Sequence, residues 1–190
     1  VYADFGLLGG DVTSIVINPA IPETIFAAAN NKVYKSTNGG RNWSLANVGL
    51  TQTYVYTLAI DPDMPDTLYA GTYKGVYKST NGGENWSLSS PDLAQTRINT
   101  LVIDPTKPGT LFAGAEGRGV LKSADSGETW TSINKGLFAA SILSLATDPI
   151  TSNTVYAGTY RNGVFKSTDG GKNWNTTKSI LSDLPIHSLA

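Results

Sequence analysis

The chain has 190 residues, with 40% hydrophobic and 15% charged residues and a net charge of −1. That length buries one substantial core, and the near-neutral balance gives no support to a nucleic-acid partner or an anionic membrane surface. Cysteine is absent, which excludes a disulfide framework and a thiolate metal site, and no run approaches the roughly 20 apolar residues of a membrane span.

Taken along the chain, the predicted elements fall into a repeat. Val1–Phe5 aligns with Ser44–Val48 and reads as the end of a strand d. Repeat units then run over 6–48, 49–91, 92–135 and 136–179, and 180–190 opens another unit, giving one domain of four complete units with a partial unit at each end. Trp43, Trp86, Trp130 and Trp174 keep the phase, standing 43, 44 and 44 residues apart. Gly6-Leu7, Gly49-Leu50 and Gly136-Leu137 mark seams between units, with Asp92-Leu93 and Ile180-Leu181 in the remaining two.

The second unit serves as the example. Strand a is VYTLAI, from Val55 to Ile60. Pro62 and Pro65 break the ladder in the turn that follows. Strand b runs from Thr67 to Tyr73, a short turn holds Lys74-Gly75, strand c is Val76 to Ser79, and strand d starts at Trp86. Strand a is apolar at consecutive positions, as in Leu58-Ala59-Ile60 and Leu101-Val102-Ile103, which predicts cover on both of its faces. No unit has room for a capped helix of 3.6-residue period. Four short strands in about 44 residues, repeated, fit a blade of an all-β propeller. A β-helix has shorter coils, and a sandwich does not need so strict a period.

A phrase repeats at each c–d turn. It comprises Ser36, Asn38, Gly40 and Trp43; Ser79, Asn81, Gly83 and Trp86; Ser123, Asp125, Gly127 and Trp130; and Ser167, Asp169, Gly171 and Trp174. Asn or Asp accepts backbone N–H bonds in a tight turn, Gly supplies positive φ, and Trp brings a large apolar area. Asn replaces a carboxylate in two of the four copies, so the phrase reads as a structural turn and not a catalytic device. It resembles the Asp-box, or BNR repeat, of sialidases, xyloglucanase-type glycoside hydrolases, sortilin-type receptors and the photosystem II stability/assembly factor. The resemblance covers nearly the whole chain. It implies a propeller whose boxes lie away from any active site, and a secreted, cell-surface or periplasmic location.

Catalytic residues do not emerge. A sialidase of that family needs an arginine cluster, whereas this chain has Arg41, Arg97, Arg118 and Arg161 scattered along it. A glycosidase needs two carboxylates across one sugar bond; Glu116 is one candidate and Asp183 another, with no spacing that selects them, and both read as solvated loop charges. His187, the single histidine, has no partner motif beside it. Asp61, Asp104 and Asp148, with Asn18, precede or enter the a–b turns and read as turn formers. Asn42-Trp43-Ser44, Asn85-Trp86-Ser87 and Asn175-Thr176-Thr177 match the N-glycosylation pattern, two of them inside the repeated phrase. No residue pattern asks for a metal or a cofactor.

Binding is therefore expected on the side where loops vary. In an up-and-down blade the b–c and d–a connections emerge together, opposite the a–b and c–d turns. There the chain carries Asn30-Asn31-Lys32, Tyr54, Tyr73, Lys74, Arg97, Glu116, Arg118, Tyr160, Arg161 and Asn162, with Gln52, Gln95 and Phe138. Aromatics beside Arg, Lys and Asn suit a sugar or a protein loop. The reading is a non-catalytic binding or scaffold propeller for a protein or carbohydrate. The alternatives are a piece of a secreted glycoside hydrolase and an assembly factor acting by protein contact. Since an open arc exposes a blade face at each end, further blades of a longer parent are expected to complete the ring, the alternatives being closure by a second copy or closure of the four blades on themselves.

Overall fold

The computed structural model describes residues 11–50, 53–138, 141–177 and 183–189. The overhang Val1–Phe5, the seams Gly6-Leu7 and Ile180-Leu181, and Gln52 lie outside them. Among the described residues, sixteen strands form four antiparallel four-stranded sheets, each from one contiguous stretch in the order a-b-c-d. The first blade holds β1 (Val12–Ile17), β2 (Ile25–Ala29), β3 (Lys32–Ser36) and β4 (Ser44–Leu45). The second holds β5 (Val55–Ile60), β6 (Leu68–Thr72), β7 (Gly75–Ser79) and β8 (Ser87–Leu88). The third holds β9 (Ile98–Ile103), β10 (Leu111–Ala115), β11 (Gly119–Ser123) and β12 (Thr131–Ser132). The fourth holds β13 (Ile142–Thr147), β14 (Val155–Thr159), β15 (Val164–Ser167) and β16 (Asn175–Thr176). The chain is thus all-β, with the blades of a β-propeller.

The a strands of successive blades pack side by side. The most buried strand is b and not a: β6 and β10 are closed throughout and β2 and β14 at all but one residue, whereas β5 and β9 are half open. This corrects the expectation from the apolar run of strand a. Strand b is flanked by strands within its own sheet and is covered by the neighbouring blades. Strand a is the sheet edge and leaves part of its side chains uncovered. In β1 even Ile15 and Ile17 are exposed, at 58% and 54%, because no other sheet among the described residues covers that side.

Three apolar clusters fill the spaces between blades. Leu50, Val55, Leu58 and Trp86 meet Phe26 and Val33 of the first blade; Ile98, Leu101 and Trp130 meet Tyr69 and Val76 of the second; Ile142, Leu145 and Trp174 meet Phe112 and Val120 of the third. Each cluster takes a tryptophan from the later blade.

The c–d corner is built the same way four times. Gly40 N donates to Ser36 Oγ at 2.9 Å and Asn42 N to Asn38 Oδ1 at 2.9 Å. The same pair of bonds joins Gly83 to Ser79 and Asn85 to Asn81, Gly127 to Ser123 and Thr129 to Asp125, and Gly171 to Ser167 and Asn173 to Asp169. Trp86 Nε1 then donates across the interface to Ala46 O at 3.0 Å, and Trp174 Nε1 to Ile133 O at 2.6 Å. A lysine adds a second tie. Lys35 Nζ lies over the Phe26 ring and donates to Gly82 O of the next corner, at 3.0 Å; Lys122 does the same over Phe112 to Gly170 O, at 3.0 Å. Lys78 pairs instead with Glu128, at 3.1 Å.

Candidate functional site

The two ends of the blades differ in chemistry. At the corner end, side-chain oxygens are engaged in turns. Asn18 Oδ1 accepts from Ala20 N and Ile21 N, Asp61 Oδ1 from Asp63 N and Met64 N, Asp104 Oδ1 from Thr106 N, and Asp148 Oδ1 from Ile150 N and Thr151 N, all at 2.8–3.1 Å. Bonds from Thr129 and Ser123 hold the Asp125 carboxyl down at about 2, and bonds from Asn173 and Ser167 do the same for Asp169. These groups have the geometry of turn acceptors. Among the described residues, no three of His, Cys, Asp and Glu gather as metal ligands.

The opposite end carries the b–c and d–a loops. Tyr73 N donates to Tyr54 O, Glu116 N to Arg97 O and Tyr160 N to Ser141 O, so the two loop sets are joined at one rim. The sequence candidates lie along this rim. Tyr54, Tyr73 and Tyr160 are 57%, 51% and 50% exposed, well above the usual burial of tyrosine. Lys74 is half-buried at the β6–β7 turn, whose Thr72 Oγ1 accepts from its N–H. Arg161 and Asn162 are exposed at the β14–β15 turn, with the Arg161 guanidinium 5.2 Å from the Tyr160 ring.

Several of these residues form a continuous row. The Tyr54 ring stacks on Tyr56 at 6.5 Å and 16°. The Arg97 guanidinium lies 4.5 Å from the Tyr56 ring centre, and Arg97 Nη1 is 3.3 Å from Glu116 Oε2. The row therefore passes from the second blade to the third. Glu116 also forms a backbone bridge with Ser141, which carries it to the fourth.

Three shallow grooves follow this rim. One, about 270 Å³, is lined by Arg97, Asn99, Glu116, Ser141, Leu143 and Tyr160. Its neighbour, about 350 Å³, brings Tyr73 and Arg118 to the other side of Arg97 and Glu116. Arg118 is anchored there, donating to Asp92 O and Thr96 Oγ1, both at 3.1 Å. A third, about 490 Å³, places Tyr54 with Asn30, Asn31 and Lys32. Lys74, Arg161 and Asn162 line none of the three. Among the described residues, Glu116 is the only carboxylate lining them.

Tyr56, Asn99, Ser141 and Leu143 were not among the sequence candidates. Three of them occupy one position in the repeat: Tyr56, Asn99 and Leu143 align with each other and with His187. A shared position holding unlike side chains inside otherwise similar strands was the available signal.

No protein-family model matches the chain, and no curated protein matches it. Solved structures do. An ancestral GH74 enzyme matches 90% of this chain with 27% identity and a TM-score of 0.79. The GH74 xyloglucanase of Xanthomonas campestris matches 94% at 20% identity and TM-score 0.74. YCF48 from Cyanidioschyzon merolae matches 87% at 17% identity and TM-score 0.63. The chain spans 24%, 32% and 55% of those structures. These likenesses define a propeller fold of the kind used both by GH74 glycoside hydrolases and by YCF48.

Proposed function

We propose that this chain is a non-catalytic recognition propeller that takes a glycan or protein segment along the rim of its b–c and d–a loops, with the repeated Asp-box corners as its structural turns. The observation that carries this reading is the row Tyr54–Tyr56–Arg97–Glu116, which presents aromatic faces, a cation and an acceptor across adjoining blades. Such a row offers stacking and hydrogen bonds together. The grooves are open and mix apolar with polar lining, and each suits one part of an extended ligand. Tyr73, Lys74, Arg118, Tyr160, Arg161 and Asn162 widen the surface on either side. The family resemblance and the Asn-, Thr- and Gly-rich composition favour a secreted, cell-surface or periplasmic setting.

A second reading has its own support. The 27% identity with a GH74 enzyme over 90% of this chain fits a segment of a glycoside hydrolase. In that case Glu116 is one carboxylate, and the second is Asp183 or a loop residue of further blades. An assembly factor acting by protein contact fits the likeness to YCF48 in fold alone.

The test is a screen of the purified chain on a glycan array and on a displayed peptide library. Saturable binding is expected, weakened about tenfold by Tyr54→Ala or Tyr160→Ala, the cost of one good anchor. Absence of binding on both surfaces would overturn the reading. Hydrolysis of a β-glucan, abolished by Glu116→Gln, would replace it with the enzyme.

A further inference from the structure

Strand a carries the same irregularity in every blade. Pairing steps from Val12↔Ala29 to Ser14↔Ala28, from Val55↔Thr72 to Thr57↔Gly71, from Ile98↔Ala115 to Thr100↔Gly114, and from Ile142↔Thr159 to Ser144↔Gly158. One residue is left over each time: Thr13, Tyr56, Asn99 and Leu143. A bulge of this kind leaves its extra residue outside the ladder and re-aims the side chain.

The backbone of the bulge is fixed from behind. Val55, Ile98 and Ile142, which immediately precede it, are 3%, 0% and 0% exposed. Ile98 rests over Gly71 and Ile142 over Gly114, the glycines of the preceding blades. Ile186 rests over Gly158 in the same way, so His187 follows it at the bulge register. The packing beside the kink thus recurs at three junctions, and the kink itself in all four blades, while the side chain that the kink presents does not. Tyr56, Asn99 and Leu143 are half-buried and Thr13 is exposed.

Two of the four have a structural bond as well. Thr13 Oγ1 donates to Val55 O at 3.0 Å, and Asn99 Nδ2 to Ile142 O at 2.9 Å. A wholly structural role does not account for Tyr56, whose ring carries the Arg97 guanidinium, or for Leu143, which lines an open groove. Asn99 and Leu143 line that groove beside Arg97, Glu116 and Tyr160. At about 270 Å³ it is smaller than the roughly 300–1,000 Å³ of a site enclosing a drug-sized ligand, so it takes one ring or side chain of something longer.

We infer that the bulged residues Tyr56, Asn99 and Leu143 select the ligand of the loop face, and that the unit they select is one neutral sugar ring of a glycan. This rests on the recognition function proposed above. A sugar ring has apolar faces and a polar edge. Leu143 and the Tyr160 ring supply apolar surface, while Arg97 donates and Glu116 and Asn99 Oδ1 accept. The adjacent Arg97–Glu116 pair leaves the groove near neutral, which disfavours a charged ligand.

The experiment replaces each residue by the one the first blade uses, as Tyr56→Thr, Asn99→Thr and Leu143→Thr. Each variant is screened with the wild type on an array of neutral and acidic oligosaccharides and on a displayed peptide library, with thermal melting as a control. The expected result is binding to neutral oligosaccharides whose order of preference changes, with at least one ligand shifted about tenfold at unchanged melting. Where a threonine variant melts lower, Tyr56→Leu, Asn99→Gln and Leu143→Met are read by the same criterion. If Tyr54→Ala and Tyr160→Ala weaken binding but every bulge variant keeps the wild-type order and affinities, the inference fails and the recognition function stands. Binding to peptides or acidic sugars alone would overturn the choice of ligand. A wild type that binds neither surface overturns both.

Discussion

A Cβ placed on Gly114 would lie 2.7 Å from Ile142 Cγ2 of the next blade and 2.5 Å from Thr100 Cγ2 of its own sheet. Gly71 meets Ile98 and Thr57 in the same way. The first blade solves the contact differently: Ala28 stands at the glycine position, paired with Ser14, and the residue in the Ile142 position is Val55. The methyl group gained on strand b is matched by smaller neighbours. Gly114→Ala alone is therefore expected to destabilise the protein by about 1–3 kcal/mol, the cost of overpacking a closed core. Adding Thr100→Ser removes the methyl that the new Cβ meets first and should restore part of the loss. Urea unfolding of the single and combined variants measures the coupling, and strictly additive losses would refute it.

The corner carboxylates give a pH prediction. Asp125 and Asp169 are held at about 2 by hydrogen bonds to their ionised forms, against about 3.9 in an unfolded chain. Their stabilising contribution is complete above the unfolded value and disappears as pH falls through the folded one. The urea midpoint should drop between pH 4 and about 2. The first two corners use Asn38 and Asn81, which do not titrate, so the double substitution Asp125→Asn, Asp169→Asn should make that drop shallower. An unchanged slope would show that other groups dominate.

Trp86 provides a test of the tie between blades. Its Nε1 donates to Ala46 O and Gly83 O at 3.0 and 3.1 Å, and the residue is 5% exposed. Trp86→Phe keeps an aromatic ring but removes the donor, and is expected to cost about 1–3 kcal/mol in unfolding free energy. Trp43 is only half-buried, so Trp43→Phe should cost less. Equal losses would contradict the assignment of Trp86 as a cross-blade tie.

The loop face makes the opposite prediction. Arg97 and Glu116 remain 40% and 53% exposed in their ion pair, and an exposed pair contributes no more than about 1 kcal/mol. Glu116→Gln should therefore leave the melting temperature within about 3 °C of wild type. A larger loss would make the pair part of the scaffold.

The repeat, the four strands of each blade and the corner turns were legible because each has a local signature: tryptophan spacing, proline-broken turns, and Ser, Asn or Asp and Gly at fixed offsets. Burial of strand a was misjudged from the run Leu58-Ala59-Ile60, since an apolar run does not say which neighbour covers it. Only assembly makes β6, with its small Ala70 and Gly71, the closed strand. Tyr54, Arg97 and Glu116 were legible as loop residues, whereas Tyr56 and Leu143 were hidden inside strands. Each sits at the register shift where strand a pairs with strand b, an irregularity that no local pattern announces.

Every sheet among the described residues is woven from a single uninterrupted stretch, and successive sheets meet through a lysine and a tryptophan at equivalent positions. Stability then accumulates in nearest-neighbour steps, as in linear repeat arrays. Tandem duplication of one 43- or 44-residue stretch adds a complete sheet and a ready-made junction without re-threading any existing strand. Growth by copying leaves the mutual fit intact and frees the rim of each new copy to diverge.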